Sequence, residues 1–193
     1  MNKTLRFLTA LLLAVPSTTF AQRVENDFSI SNFRFESGES LASLRIHYTT
    51  LGTPRRDAQG VVRNAVLMLH GTTGSGTAVI TPMSPLFAPG EPLDTCKFYI
   101  VFPDGIGHGK SSKPSDGMHM RFPKYTYDDM VEAKHKLLID GLGVSHLRLI
   151  MGTSMGCMHA WSGESAMPDS SMRSFRSRAR RLRLRGEIAC FVR

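Results

Sequence analysis

The stretch that most constrains this chain is Leu147-Arg148-Leu149-Ile150-Met151-Gly152-Thr153-Ser154-Met155-Gly156. A short apolar run ends in Gly-Thr-Ser-Met-Gly, the G-x-S-x-G spacing that puts a serine on a sharp strand-to-helix turn with its hydroxyl exposed at the top of a sheet. Side chains at Gly152 and Gly156 would collide in so tight a turn, which gives both glycines a steric reason. A chain with 17 glycines can meet so short a pattern by chance. The flanking segments therefore have to supply the sheet that the turn requires.

At 193 residues the chain can hold one domain with a sizeable core. Its start reads as an export signal. Met1-Asn2-Lys3-Thr4-Leu5-Arg6 is basic, Phe7 to Val15 is apolar but too short for a membrane span, and Thr19-Phe20-Ala21 fits a small-x-small cleavage site. Residues 1–21 are expected to be removed, leaving a mature protein without a membrane span, secreted or periplasmic. The net charge of +8 is unevenly placed: residues 162–193 hold eight Arg against three acids, while 22–161 is close to neutral. That balance excludes a basic nucleic-acid-binding face on the body of the protein. Cys96, Cys157 and Cys190 are few, odd in number and far apart, so neither a disulfide framework nor a metal site follows.

Along the chain, Phe33-Arg34-Phe35 and Leu41 to Thr50 alternate around a turn-rich Ser37-Gly38-Glu39-Ser40, the pattern of an antiparallel hairpin at a sheet edge. Ala65 to Leu69 is a continuous apolar run, as in a parallel strand covered on both faces; Phe98 to Phe102 reads as a second buried strand and Leu147 to Met151 as a third. Pro82 to Pro92 reads as proline-punctuated loop with at most a helical turn. The spacing predicts a helix over 126–141 with Tyr127, Met130, Val131, His135, Leu138 and Ile139 on one face, capped by Thr126 and closed by Gly141. Strand, loop, strand, helix, strand and turn describe the first half of a doubly wound α/β domain.

Three short motifs follow the three apolar runs in order: His70-Gly71, Asp104-x-x-Gly107-x-Gly109-x-Ser111, and Gly152-x-Ser154-x-Gly156. The ordered set resembles the α/β-hydrolase family. More narrowly, Tyr48-Thr49-Thr50-Leu51-Gly52, Asn64-Ala65-Val66-Leu67, Leu93-Asp94-Thr95 and Gly152 to Trp161 resemble its homoserine O-acetyltransferase-like branch, over about residues 30–161. The chemistry of the residues agrees. Ser154 is the candidate nucleophile, forming an acyl-enzyme once a base activates it. The amide of Met155, at the start of the next helix, faces the developing oxyanion, and the resemblance places the second donor at Thr72. It also implies a structural His70 that holds its loop. Asp104 and the glycines after it shape a turn, and His108 and His119 read as loop residues. A small acyl-bearing substrate is expected, with no cofactor and no metal.

The family places a carboxylate and then a histidine after the serine. Here only Glu164, Asp169 and Glu187, and the single His159, follow Ser154. His159 lies five residues along the elbow helix, where it cannot easily return to the serine. From Ser162 the resemblance stops, and Ser170 to Arg185 has no period that yields an apolar face. The expected fold is therefore α/β, a truncated α/β-hydrolase: an N-terminal hairpin, the first central parallel strands and helices, and no later strands. Residues 22–161 form the partial domain, and 162–193 a disordered basic tail. The last strand is left with an open edge, an aggregation hazard. The tail also reads as a shift of reading frame near residue 162. Ala166 to Arg176 can be encoded so that the neighbouring frame gives His-Ala-Arg-Phe-Ile-Asp-Ala-Leu-Val-Pro, close to what the family carries there. Three functions stay open: an ester hydrolase inactive in this form, an acyltransferase to a small hydroxyl acceptor, and a non-enzymatic protein with a basic tail.

Overall fold

The structure is a computed structural model of the chain and describes residues 22–166, 180–184 and 187–192. The export signal and most of the stretch from 167 to 186 lie outside the described residues. Among those described, no helix is long and apolar enough to cross a membrane.

The sheet has the order β1-β2-β4-β3-β5-β7-β6. Strands β1 (Val24–Arg34) and β2 (Ser40–Leu51) form the expected hairpin, turning at Gly38, whose φ of +85° suits glycine. Strand β1 begins well before the alternation indicated, because it pairs along nearly the whole of β2, whose far end also pairs antiparallel with β4 (Tyr99–Pro103). The centre is parallel: β3 (Ala65–Leu69) lies between β4 and β5 (Leu149–Thr153). Every residue of β3 and β4 is buried, which the uninterrupted apolar runs require.

Side chains alternate across this sheet. Leu67, Leu69 and Val101 pack with Leu138, Val144 and Ala160 on one face, while Val66, Met68, Ile100 and Phe102 pack with Val79 and Phe87 on the other. Helices α2 (Tyr127–Lys136) and α3 (Met155–Ala166) cover the first face and α1 (Gly76–Met83) the second. The partial α/β-hydrolase fold is thus present, with helices on both faces of a mixed sheet.

Three expectations need correction. Residues 76–83 form a helix where only loop was expected. Its β-branched residues and Pro82 are poor helix formers, but Ser75 Oγ accepts from the Ala78 amide and buried Asp104 accepts from the Gly76 amide at 2.6 Å, fixing its first turn. The helix over 127–141 is α only to Lys136 and finishes as a π-helical turn, Leu137–Gly141. Its buried face is centred on Met130, Ala133, Lys134 and Leu137, and leaves Tyr127 and Ile139 exposed. Finally, the edge beyond β5 is not open: β7 (Glu187–Val192) pairs with it antiparallel, from Ile150 opposite Val192 to Thr153 opposite Ala189, and β6 (Arg180–Leu184) completes a hairpin. No fourth parallel strand follows β5 among the described residues. Residues 162–166 continue α3, so the helix runs past the point at which the resemblance stops.

Candidate active site

Ser154 sits between the last residue of β5 and the first of α3 with φ +49°, a left-handed conformation that a serine adopts only where its surroundings enforce it. The enforcement comes from backbone crowding. A Cβ on Gly152 would lie 2.4 Å from the Gly156 carbonyl carbon, and one on Gly156 would lie 2.5 Å from the Leu69 carbonyl oxygen. Strand β5, helix α3 and strand β3 therefore meet where only glycines fit, and the serine is forced outward. Its side chain is exposed, while Met155 behind it is buried. The Met155 amide belongs to the first helical turn, whose N–H groups have no acceptor within the helix. Cys157 is half-buried and its thiol donates to the Gly152 carbonyl at 3.0 Å, bracing the turn from inside.

The loop after β3 lies against this turn: a Cβ on Gly71 would meet the Ser154 Cβ at 3.5 Å. His70 holds the loop. The Gly105 amide donates to His70 Nε2 at 2.9 Å, so the ring proton is on Nδ1, which donates to the Gly71 carbonyl at 2.7 Å. Both ring nitrogens are engaged and neither is left to take a proton from Ser154. Burial pushes the imidazole below its ordinary pKa, in keeping with a neutral ring.

Asp104 is the anchor beneath. Its two oxygens accept from the Gly76 amide at 2.6 Å and the Lys110 amide at 2.7 Å, joining the start of α1 to the turn after β4. Gly109, at φ +53°, is where that turn closes, since a Cβ there would overlap the Asp104 carboxylate at 2.0 Å. The residues read as turn-shaping thus shape the turn. His108 presents Nδ1 to the Ile106 carbonyl at 2.9 Å and Nε2 to the Thr72 carbonyl.

His159 lies in the seam between α3 and α2. Its Nδ1 is 2.9 Å from Lys134 Nζ, and its ring stands edge-on to Tyr127. Among the described residues Lys134 is buried without a carboxylate beside it, and desolvation lowers its pKa to about 7. Desolvation, then the Lys134 charge, lowers His159 to about 3. Lys134 escaped sequence reasoning, although a signal existed: it stands midway between Met130 and Leu138 in an i, i+4 row.

Ser154, Thr72 and His70 line a cavity of about 540 Å³, whose far wall is α1 through Ala78, Val79, Pro82 and Met83. Sequence reasoning brought Ser154, Met155 and Thr72 together but missed that wall along with α1. Among the described residues the Ser154 hydroxyl has no hydrogen-bonded base.

A serine on a glycine-crowded turn after a parallel strand, with a His-Gly loop packed beside it at the edge of a cavity, defines a class. The chain belongs to the alpha/beta hydrolase fold family, whose sequence model matches residues 64–162. Within it the chain is similar to homoserine O-acetyltransferases. It is 35% identical over 143 residues to a probable acyltransferase of Methanothermobacter thermautotrophicus, covering 74% of this chain and 44% of that one. It is 34% identical over 158 residues to a homoserine O-acetyltransferase of Leifsonia xyli, covering 72% and 38%. Among solved structures it is similar to an acetylester hydrolase from Corynebacterium glutamicum, at a TM-score of 0.64 and 24% identity, over 76% of this chain and 42% of the other; that likeness shows the fold. The chain spans less than half the length of these relatives.

Proposed function

We propose that residues 22–161 are the nucleophile-bearing part of a serine acyl-transfer enzyme. In this reading Ser154 Oγ attacks the carbonyl carbon of a small ester or similar acyl compound, its proton passes to a base, and the alcohol departs to leave an acyl-enzyme. The amides of Met155 and Thr72 take the oxyanion, and each such donor contributes about 3 kcal/mol to the transition state. Water then releases the acyl group, which makes the enzyme an ester hydrolase. The observation that carries this reading is the left-handed Ser154, fixed by two glycines on one wall of a cavity whose other walls are the Thr72 loop and α1.

Among the described residues that serine has no hydrogen-bonded base, and we read the chain as an inactive partial form. Residues from Ser162 are read as out of frame. An export signal cut after Ala21 would deliver the protein to the periplasm or the medium. The identity of the curated relatives favours a second reading, acyl transfer to a small hydroxyl acceptor. Exported location speaks for water instead, because acyl-CoA donors and homoserine are cytoplasmic.

The test is to sequence the gene across codon 162 and express both the chain and a version with the neighbouring frame restored. The chain should hydrolyse an aryl acetate no faster than its Ser154→Ala variant, and the restored form should turn over only with Ser154 intact. Turnover of acetyl-CoA with homoserine by the restored form, without ester hydrolysis, would favour transfer. No open downstream frame would sink the frameshift. N-terminal sequencing of the exported protein, expected to begin at Gln22, checks the signal.

A further inference from the structure

Two histidines, read from the sequence as a loop support and a plain loop residue, act on consecutive peptide planes. The plane joining Gly71 to Thr72 carries the Gly71 carbonyl and the Thr72 amide. A trans peptide points those two groups in opposite directions. His70 Nδ1 and the Gly74 amide, at 2.7 and 3.0 Å, both donate to the Gly71 carbonyl, so the direction of the Thr72 N–H is set on that side. The next plane carries the Thr72 carbonyl, and there the contact is His108 Nε2.

We propose that His108 is a positioning residue: by holding the Thr72 carbonyl it fixes the second of the two planes that flank Thr72, and so keeps the Thr72 amide aimed into the Ser154 cavity. This rests on the reading of that amide as an oxyanion donor. The first plane is held only by donors of its own loop, so the loop can still tilt as a unit; with the second plane held from the turn after β4, it cannot. The loop needs the clamp because Thr72 and Thr73 are exposed and packing does not restrain them.

His108 is itself held in place. Its amide donates to the Gly105 carbonyl at 3.0 Å, and the turn it rides is closed by Gly107 and Gly109 at positive φ over the buried Asp104 carboxylate. The His70 and His108 rings lie 5.1 Å apart, and the turn after β4 meets the loop after β3 twice, through the Gly105 amide on His70 Nε2 and through His108 Nε2 on the Thr72 carbonyl. An oxyanion donor is effective only when it is aimed before charge develops, and a clamp two bonds from the amide supplies that.

The experiment compares the chain with His108→Leu, which removes the donor, and His108→Gln, whose side-chain amide reaches about as far as Nε2 and can donate. Far-UV circular dichroism first confirms that each is folded. Amide hydrogen exchange over residues 70–76 reads the clamp. Phenylboronic acid reads the hole without needing turnover: Ser154 Oγ gives an electron pair to the trigonal boron, its proton leaves to buffer, and the anionic tetrahedral boronate occupies the oxyanion position.

His108→Leu should speed exchange in 70–76 and weaken boronate binding, each about tenfold, the loss of one oriented hydrogen bond. His108→Gln should restore both. Unchanged exchange in His108→Leu would overturn the clamp. Faster exchange with unaltered boronate affinity would overturn its role in aiming the amide. A wild-type chain that binds no boronate counts against the Ser154 reading, and the exchange data then decide the clamp alone.

Discussion

The shelf around Ser154 and the seam between α2 and α3 both bury polar side chains, and they treat them differently. On the shelf, Asp104 gives each oxygen to a backbone amide, and both nitrogens of His70 are bonded. In the seam, among the described residues, Lys134 has His159 as its hydrogen-bonding partner and no carboxylate to offset its charge, while His159 Nε2 is buried without a partner. The shelf is held by contacts that stay satisfied in one protonation state. The seam is stable only while two basic groups stay neutral, so its contribution varies with pH.

The largest effect should come from breaking the shelf. Asp104→Ala leaves the Gly76 and Lys110 amides without their acceptor, at the start of α1 and in the His108 turn together. Loss of two charge-assisted bonds to buried donors should cost about 4 kcal/mol, measured by urea unfolding. A loss under about 1 kcal/mol would mean that water replaces the carboxylate and that the shelf is less closed than its geometry indicates.

The seam comes next, and here the sign follows from the pKa values. Lys134 titrates near 7 when folded and near 10.5 when unfolded. The unfolded chain therefore binds more protons between those values, so stability rises with pH across that window. The penalty is greatest at and below pH 7. From pH 7 to about pH 9.5 the gain should be roughly 3 kcal/mol. Above that, Tyr48, Tyr99 and Tyr125, raised by burial, begin to oppose it. His159, near 3 against 6.5, adds a second rise between those values on the acid side. Lys134→Met should be more stable at pH 7 and should lose the alkaline slope. An unaltered slope in that variant would show that another group carries it.

A third perturbation returns to the shelf. Gly156→Ala drives a Cβ to within 2.5 Å of the Leu69 carbonyl oxygen, a backbone atom that cannot swing aside. The elbow helix has to shift away from β3, at a cost of about 2 kcal/mol. A thermal melt equal to that of the parent would remove the steric reason for the second glycine.

The two regions were also unequally legible in the amino-acid sequence. The shelf's glycines, serine and His-Gly pair could be read because backbone crowding admits few residue types, and β3 and β4 because a strand covered on both faces tolerates no polar interruption; β5 was read two residues early, across Arg148. Helix α1 was hidden, since its residues disfavour a helix and its first turn is held by Asp104, nearly thirty positions away. The seam was misread by the same kind of distance. Placing His135 on the buried face and Lys134 outside it follows the usual behaviour of lysine, and only the packing of α3 shows that the row through Met130, Lys134 and Leu138 is the one that faces inward. The β6–β7 hairpin on the edge of β5 was missed although Arg181-Leu182-Arg183-Leu184-Arg185 alternates, because that run offers a face only two apolar positions.

The smallest effect belongs to the point at which α2 is tied to the rest of the fold. Thr126 and Asp129 form a capping box: Thr126 Oγ1 accepts from the Asp129 amide at 3.3 Å, and Asp129 Oδ2 accepts from the Thr126 amide at 2.9 Å. Asp129 does more, since its other oxygen accepts from the Glu36 amide at 2.9 Å and joins the helix start to the β1–β2 turn. Thr126→Ala should therefore cost about 1 kcal/mol, the ordinary worth of a cap. Asp129→Ala should cost more, because a half-buried amide on another element is released as well. If the two variants prove equal in urea unfolding, the link from Asp129 to Glu36 contributes nothing, and α2 rests on the sheet through its buried face alone. That outcome would make Lys134 more consequential still, since it stands in the middle of that face.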